Sequence, residues 1–455
     1  MTLRAIRQSS KARAAATAVP AAARRRAAVW RPPITPDRRV LVLSIVLQLA
    51  LGLLFGHSYD TRIFLATGYL VGTGHDPYVA QNLSAVFPHV GFSVIASVGY
   101  PPPWPLLLGL IYRAVYAVAP GFLVYNLAVK IPVIAANVGL AYLVGAILRD
   151  RGASAAVSRR AWTLLLLNPL LLYVGAAWGE IDAIVALLAL AALALLCARR
   201  YDWSAVLLAL AVCVKPTALP LLPAALVFLA GRSFPRAVRY GAVCVGGVLL
   251  FYVAPFFVLG WSRAPFTRRL NAHFVQQGTM SYMAVVRLFR DPLQTQGRWW
   301  LLGLLWIPAL AVGVVVALRR GDGSLEDLLE KGVALALIVF LTRTWLAETN
   351  VVLIVPLVLI LTSLGALDRR GLTAVWLLPL VFTLFNASPL QLLWVAFPGA
   401  MQTGLDWVGR YSDVTLIARA AVVVAWQVTG WWIVVVCLRG GRARAGGRAL
   451  EVRAP

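Results

Sequence analysis

Two carboxylates one residue apart, Glu180 and Asp182, stand where one apolar run pauses and the next begins, in VGAAWGEIDAIVALLALAALALL. Charge is costly in hydrocarbon, so acids in that setting point to a binding or reaction site. Three further stretches share the setting: Asp60 in GHSYDTRIFLATGYLVGTGHDPY, Lys215 in LLALAVCVKPTALPLLP, and Glu348 with Asn350 in FLTRTWLAETNVVLIVP. A carboxylate can take the proton of an attacking hydroxyl, an ammonium can hold a phosphate, and acids and amides can orient polyol hydroxyls. Those are the parts of a group transfer onto a hydroxyl. The cysteines lie in or beside apolar runs without a CxxC pair, which leaves no metal or disulfide signal. The histidines match no ligand spacing, so no metal and no cofactor is expected.

Each of these residues also has a plainer use. Asp60 suits the N-cap of the helix that follows it, Asn350 suits the cap of another, and Arg343 and Glu348 could pair with each other. Lys215 could snorkel, although Pro216 after it suggests a helix broken there. Residues two apart on a helix diverge by about 200°, so one of Glu180 and Asp182 is expected to cap the helix starting near Ile181. Asp182 is then the acid expected to face the site.

The elements that must hold these groups are membrane helices. Of the 455 residues 61% are hydrophobic and 13% charged, and the apolar ones come in runs too long for barrel strands. The expected fold is all-α membrane, a polytopic bundle of about 12 transmembrane helices with interfacial helices in the first outer loop. The spans are placed at about 40–56, 122–148, 161–177, 181–198, 203–214, 217–230, 240–259, 299–318, 332–346, 350–366, 372–387 and 418–438. Several are shorter than a full crossing, which suggests broken or tilted helices. Residues 1–38 read as a disordered basic cytoplasmic tail, 39–438 as a single transmembrane domain and 439–455 as a second basic cytoplasmic tail.

The formal charge of +25 collects in the tails and short loops, so it reports membrane orientation and not nucleic acid. Lys and Arg then place both termini in the cytoplasm, provided that Trp104 to Pro120 dips into the membrane and returns or lies in the interface. Asp60, the 180–182 acids, Lys215, Glu348 and Asn350 all fall on the opposite, extracytoplasmic face. So do two long loops. The second of them carries Arg268 and Arg269, suited to phosphate, and Gln276 and Gln277, suited to polyol hydroxyls.

The order of motifs resembles a known family. The acid of the first outer loop, then GHDPY, YPPPWPLLLGL, LLNPLLLYVGAAWGEIDAIVALLAL, KPTALPLLP and WLAETN are similar to the GT-C class of integral-membrane glycosyltransferases. Among these the resemblance is to polyprenyl-phosphate-mannose-dependent mannosyltransferases of bacteria and archaea and to the GPI mannosyltransferase I catalytic subunit. It covers the chain from about Val40 to Leu438. It implies that a hexose, mannose by type, moves from a polyprenyl-phosphate donor to a lipid, glycan or protein acceptor hydroxyl, outside the plasma membrane and with inversion. Asp60 matches the family's catalytic acid, Asp182 the acid of its GQxD pattern and Lys215 its lysine before proline. Glu180 stands where that pattern has Gln, and Asp60 stands alone where many relatives show an acidic pair. Tyr100, Glu348, Asn350, Arg268, Arg269 and Gln276 complete the expected substrate-binding set. The competing function is a secondary transporter or lipid flippase, which broken helices would also suit, but the second half does not repeat the first and the outer loops are larger than a carrier needs.

Overall fold

Apolar runs in this chain become helices because a helix satisfies its own backbone where no water reaches. The computed structural model describes residues 37–79, 81–82, 95–96, 98–268, 278–286, 288–289, 300–318, 323–387 and 389–451, with side chains up to 439. The expected tail before residue 37, together with Arg269, Gln276 and Gln277, lies outside the described residues.

In chain order the principal helices are α1 (Arg38–Leu54), α2 (Asp60–Gly72), α3 (Pro103–Val118), α4 (Phe122–Asp150), α5 (Ala155–Leu166), α6 (Asp182–Cys197), α7 (Tyr201–Val214) and α8 (Leu221–Ala230). The second half adds α9 (Phe234–Val248), α10 (Trp306–Leu318), α11 (Leu325–Thr342), α12 (Val355–Ser363), α13 (Arg369–Asn386), α14 (Pro398–Arg410) and α15 (Ser412–Glu451). Side-chain caps start several of them: Asp37 accepts from Arg39 N, Ser154 from Val157 N, Ser324 from Asp327 N and Asp368 from Arg370 N.

Every expected span coincides with helix, but among the described residues fewer than 12 are long and apolar enough by themselves to cross. Five helical stretches are long and apolar enough to cross a membrane: Phe122–Asp150, Ala155–Trp178, Phe234–Val258, Leu301–Leu318 and Ser412–Arg439. A sixth is reached if Arg369–Asn386 and Pro389–Val395, bent by 75°, form one span. The difference from about 12 has a physical cause. Proline and glycine breaks leave α6, α7, Pro216–Ala230 and Glu348–Ser363 as apolar helices of under 18 residues, and at about 1.5 Å per residue these fall short of a bilayer of roughly 30 Å.

The core lies between α4, α6, α11 and the segment Glu348–Leu361. Helix α11 is buried along almost its whole length, packed against α8, α10, α12 and α15. Helix α2, expected to lie on the membrane surface, is instead inside the protein. Its Ile63, Phe64, Leu65, Ala66 and Leu70 are buried, because both of its faces are apolar and α3 and α4 cover them. The contact is close at Gly68, where an added Cβ would lie 2.0 Å from the Tyr125 hydroxyl, itself donating to Leu65 O at 2.8 Å.

Two small devices tie the long loops together. Gly278–Thr279 pairs in parallel with Trp345–Leu346, and the Asp76 carboxylate of the first loop accepts from Ser262 N of the second at 2.6 Å. Tyr78, Phe256, Trp261 and Phe266 close over that junction as an aromatic cluster, and Tyr100 packs at its edge.

Candidate active site

The acids of WGEID sit on a bend. After Asn168 breaks the helix and caps its continuation, the chain runs as a π-type helix, Leu172–Trp178, and ends at Gly179 in the left-handed region with φ 97°. Glu180 and Ile181 precede the next helix, which starts at Asp182. Both acids therefore reach one partner: Lys215 Nζ lies 3.2 Å from Glu180 Oε2 and 2.6 Å from Asp182 Oδ2. The divergence expected of two acids on one helical turn does not arise, since the helix starts at Asp182 and does not include Glu180. Neither side chain caps the helix.

Lys215 reaches this point because Pro216 ends α7. Proline disfavours helical geometry in the residue before it, and Lys215 is extended, with φ −154° and ψ 126°. Its ammonium also points to Thr349 Oγ1 at 3.4 Å, in the hairpin that follows α11. Tyr100 donates to Glu180 at 3.1 Å, so YPPPWP, WGEID, KPTALP and WLAETN meet around the Lys215–Glu180 pair.

Asp60 joins them through Trp178. It is the first residue of α2, with Tyr59 in the N-cap position and no side-chain cap bond there, so its carboxylate is not engaged in capping. Asp60 Oδ2 accepts from Trp178 Nε1 at 3.0 Å and lies 3.0 Å from His57 Nδ1. The His57 ring stacks on Trp178 at 4.0 Å and 11°. Nδ1 also lies 3.2 Å from the Asp60 backbone N, so it serves one neighbour at a time. With a proton it donates to the carboxylate, and without one it accepts from the amide. The segment is locked further by Thr61 Oγ1, which donates to Trp178 O at 2.9 Å.

Glu348 is the fourth buried acid. It accepts from Asn386 Nδ2 at 2.9 Å, Asn386 accepts from Arg419 at 3.2 Å, and Glu348 is within electrostatic reach of His57 and Asp60. Asn350 lies inside the 3-10 turn Glu348–Leu353, so it does not cap the helix beyond. Its Oδ1 and Oδ1 of Asp182 are buried without hydrogen-bond partners.

The electrostatics separate the acids. Burial works against ionisation of Asp60, but His57, the Trp178 hydrogen bond and Lys215 outweigh it and hold this carboxyl below its usual range. Glu180 goes the other way: burial, reinforced by Asp60 and Asp182 and opposed by Lys215, pushes it up to about 7. One ammonium offsets one buried carboxylate, and Asp182 is the nearer. Burial also opposes the charge of Lys215, yet its two partners hold it above the usual lysine range. Tyr100 is raised well above the phenol range by burial and then by Glu180, Asp60 and Asp182, so it stays a donor.

Of the expected site residues, Asp60, Tyr100, Glu180, Asp182, Lys215, Glu348 and Asn350 gather at this end of the bundle. Arg268 is exposed at the end of the helix spanning 263–268. Sequence reasoning passed over His57, Trp178, Thr349 and Asn386. The i,i+3 spacing of His57 and Asp60 was a readable signal for the first. Among the described residues no group of three or more His, Cys, Asp or Glu is arranged to hold a metal ion.

The profile described as Glycosyltransferase family 87 matches residues 99–349, over half of the chain. That stretch contains Tyr100, the WGEID bend, Lys215 and Glu348. No curated protein matches the chain.

Proposed function

The chain belongs to glycosyltransferase family 87, and from that premise we propose that it moves a mannose-type hexose from a polyprenyl phosphate to an acceptor hydroxyl on the extracytoplasmic side of the plasma membrane. The acceptor is a membrane lipid, a glycan or a protein. The observation that carries this reading is the Asp60 carboxylate. It is kept ionised by His57 and Trp178, both of its contacts fall on Oδ2, and Oδ1 makes no hydrogen bond among the described residues.

Asp60 Oδ1 takes the proton of the acceptor hydroxyl as its oxygen attacks the anomeric carbon from the face opposite the phosphate. The C–O bond to polyprenyl phosphate breaks, the phosphate leaves as the anion, and the anomeric configuration inverts. Asp182 Oδ1 and Asn350 Oδ1 are acceptors that sugar hydroxyls would satisfy. Lys215 is matched by two carboxylates, so its part is to hold the acids in place. The leaving phosphate falls to the arginines of the second loop, Arg268 and Arg269, and Gln276 of the same loop is left for a sugar hydroxyl.

The test is transfer by purified protein from radiolabelled polyprenyl-phosphate mannose to lipids extracted from a deletion strain, with mass spectrometry of the product. Asp60→Asn is expected to lose roughly 100- to 10,000-fold in kcat while the protein still accumulates. Wild-type turnover in that variant removes the assigned base. Movement of the donor across proteoliposomes without a glycosidic product favours a flippase.

A further inference from the structure

Lys130 is a fully buried lysine that the proposed reaction does not use. It lies in α4, and its Nζ donates to Gly52 O at 3.1 Å, to Ala177 O at 3.2 Å and to Phe55 O. These three carbonyls match the three N–H donors of an ammonium. No carboxylate is bonded to it among the described residues.

The three acceptors come from two helix ends. Gly52 and Phe55 belong to the end of α1 and the residue after it, and Ala177 to the end of the π-type helix. Unpaired carbonyls at a helix C-terminus carry partial negative charge, so a cation is stabilised where two such ends meet. Asn126, one turn earlier on α4, donates to Gly52 O at 2.8 Å and to Leu53 O and Phe55 O at 3.3 Å. The α1 end is thereby held from one face of α4.

Each of the two ends leads directly into a partner of the Asp60 carboxylate. His57 comes two residues after Phe55, and Trp178 comes one residue after Ala177. Gly179 then passes so near that an added Cβ would lie 3.0 Å from Lys130 Cε. We infer that Lys130 is a positioning residue that clamps the segments 55–57 and 177–179 together and so sets the hydrogen bonds on Asp60. This rests on the reading of Asp60 as the base.

Two variants test it in the purified full chain. Lys130→Met keeps the unbranched side chain to within one atom of its length and removes every donor, and Lys130→Gln keeps an N–H pair without charge. Amide hydrogen exchange is expected to quicken in residues 55–61 and 175–181 together, most in Lys130→Met, with α11 unchanged. With less support from His57 and Trp178 the Asp60 carboxyl titrates higher, so the acid limb of kcat against pH moves to higher pH, and kcat falls at least tenfold. Unchanged exchange in both segments overturns the clamp, whatever the chain transfers. Faster exchange with an unmoved acid limb also overturns it, because a merely structural lysine gives that result. Wild-type turnover in Asp60→Asn is a separate failure, of the base alone, and leaves the exchange result standing.

Discussion

Trp178 donates its indole N–H to the Asp60 carboxylate at 3.0 Å, across 118 positions of chain, and the same indole carries the stacked ring of His57. One residue of WGEID thus builds the setting of the acid that starts α2. Trp178→Phe keeps a ring for His57 and deletes the donor. A hydrogen bond to a charged group contributes about 1.5–3 kcal/mol, so kcat is expected to fall by roughly tenfold or more. Asp60 then ionises less readily, and the acid limb of the pH–rate profile moves upward. An unmoved limb in a folded variant refutes the assignment of that hydrogen bond.

Glu180 gives a second pH dependence, on the alkaline side. Its carboxyl is pushed up to about 7 by burial, so it is protonated below that pH and charged above it. Protonated, Glu180 is a neutral group beside Tyr100 and Lys215, as a Gln at this position would be. Wild-type kcat is therefore expected to fall as pH rises through about 7. Glu180→Gln should abolish that fall and leave the acid limb of Asp60 in place. A profile that keeps its alkaline decline in the variant excludes Glu180 as the titrating group.

Much of this was legible in the chain. Apolar runs gave the membrane class and the place of most helices, and acids beside those runs marked the candidate site because charge in hydrocarbon needs a reason. Pro216 announced the break that frees Lys215. The angular argument on Glu180 and Asp182 holds only for a continuous helical turn, and Gly179 carries the chain out of the helix before Glu180. About 12 spans were expected where five or six helices pass by length and composition, because an apolar run fixes where a helix lies and says less about whether it is long enough to span. Trp178 and Lys130 stayed hidden for another reason. Their value lies in contacts between α1, α4 and the π-type segment, and pairings at such separations leave no local spacing to read.

Lys215 is predicted to matter for folding as well as for turnover. Its removal leaves Glu180 and Asp182 buried without the ammonium that both contact, a loss of about 3–5 kcal/mol for a broken buried pair. Lys215→Met should cut the amount of folded protein recovered in detergent, measured by size-exclusion chromatography. Adding Asp182→Asn removes the orphaned charge and should restore recovery, with turnover still low because Asp182 Oδ1 no longer offers a carboxylate. Equal recovery for the single and double variants contradicts the electrostatic account.

Gly179 joins the clamp to the acids. Its φ of 97° lies in the region that favours glycine, and the space where a Cβ would sit is filled by Lys130 Cε at 3.0 Å and Cγ at 3.4 Å. The backbone conformation alone costs a residue with a Cβ about 1–2 kcal/mol, and the clash forces Lys130 or the bend to move. Gly179→Ala is therefore expected to lower the thermal midpoint of the purified protein and to weaken turnover more than stability, since Trp178 and Glu180 flank the displaced residue. Asn tolerates the left-handed region better than Ala, yet it carries the same Cβ toward Lys130. Gly179→Asn should thus recover part of the backbone cost and little of the activity. If Gly179→Asn turns over like wild type, the close approach of Lys130 to the bend has no functional weight.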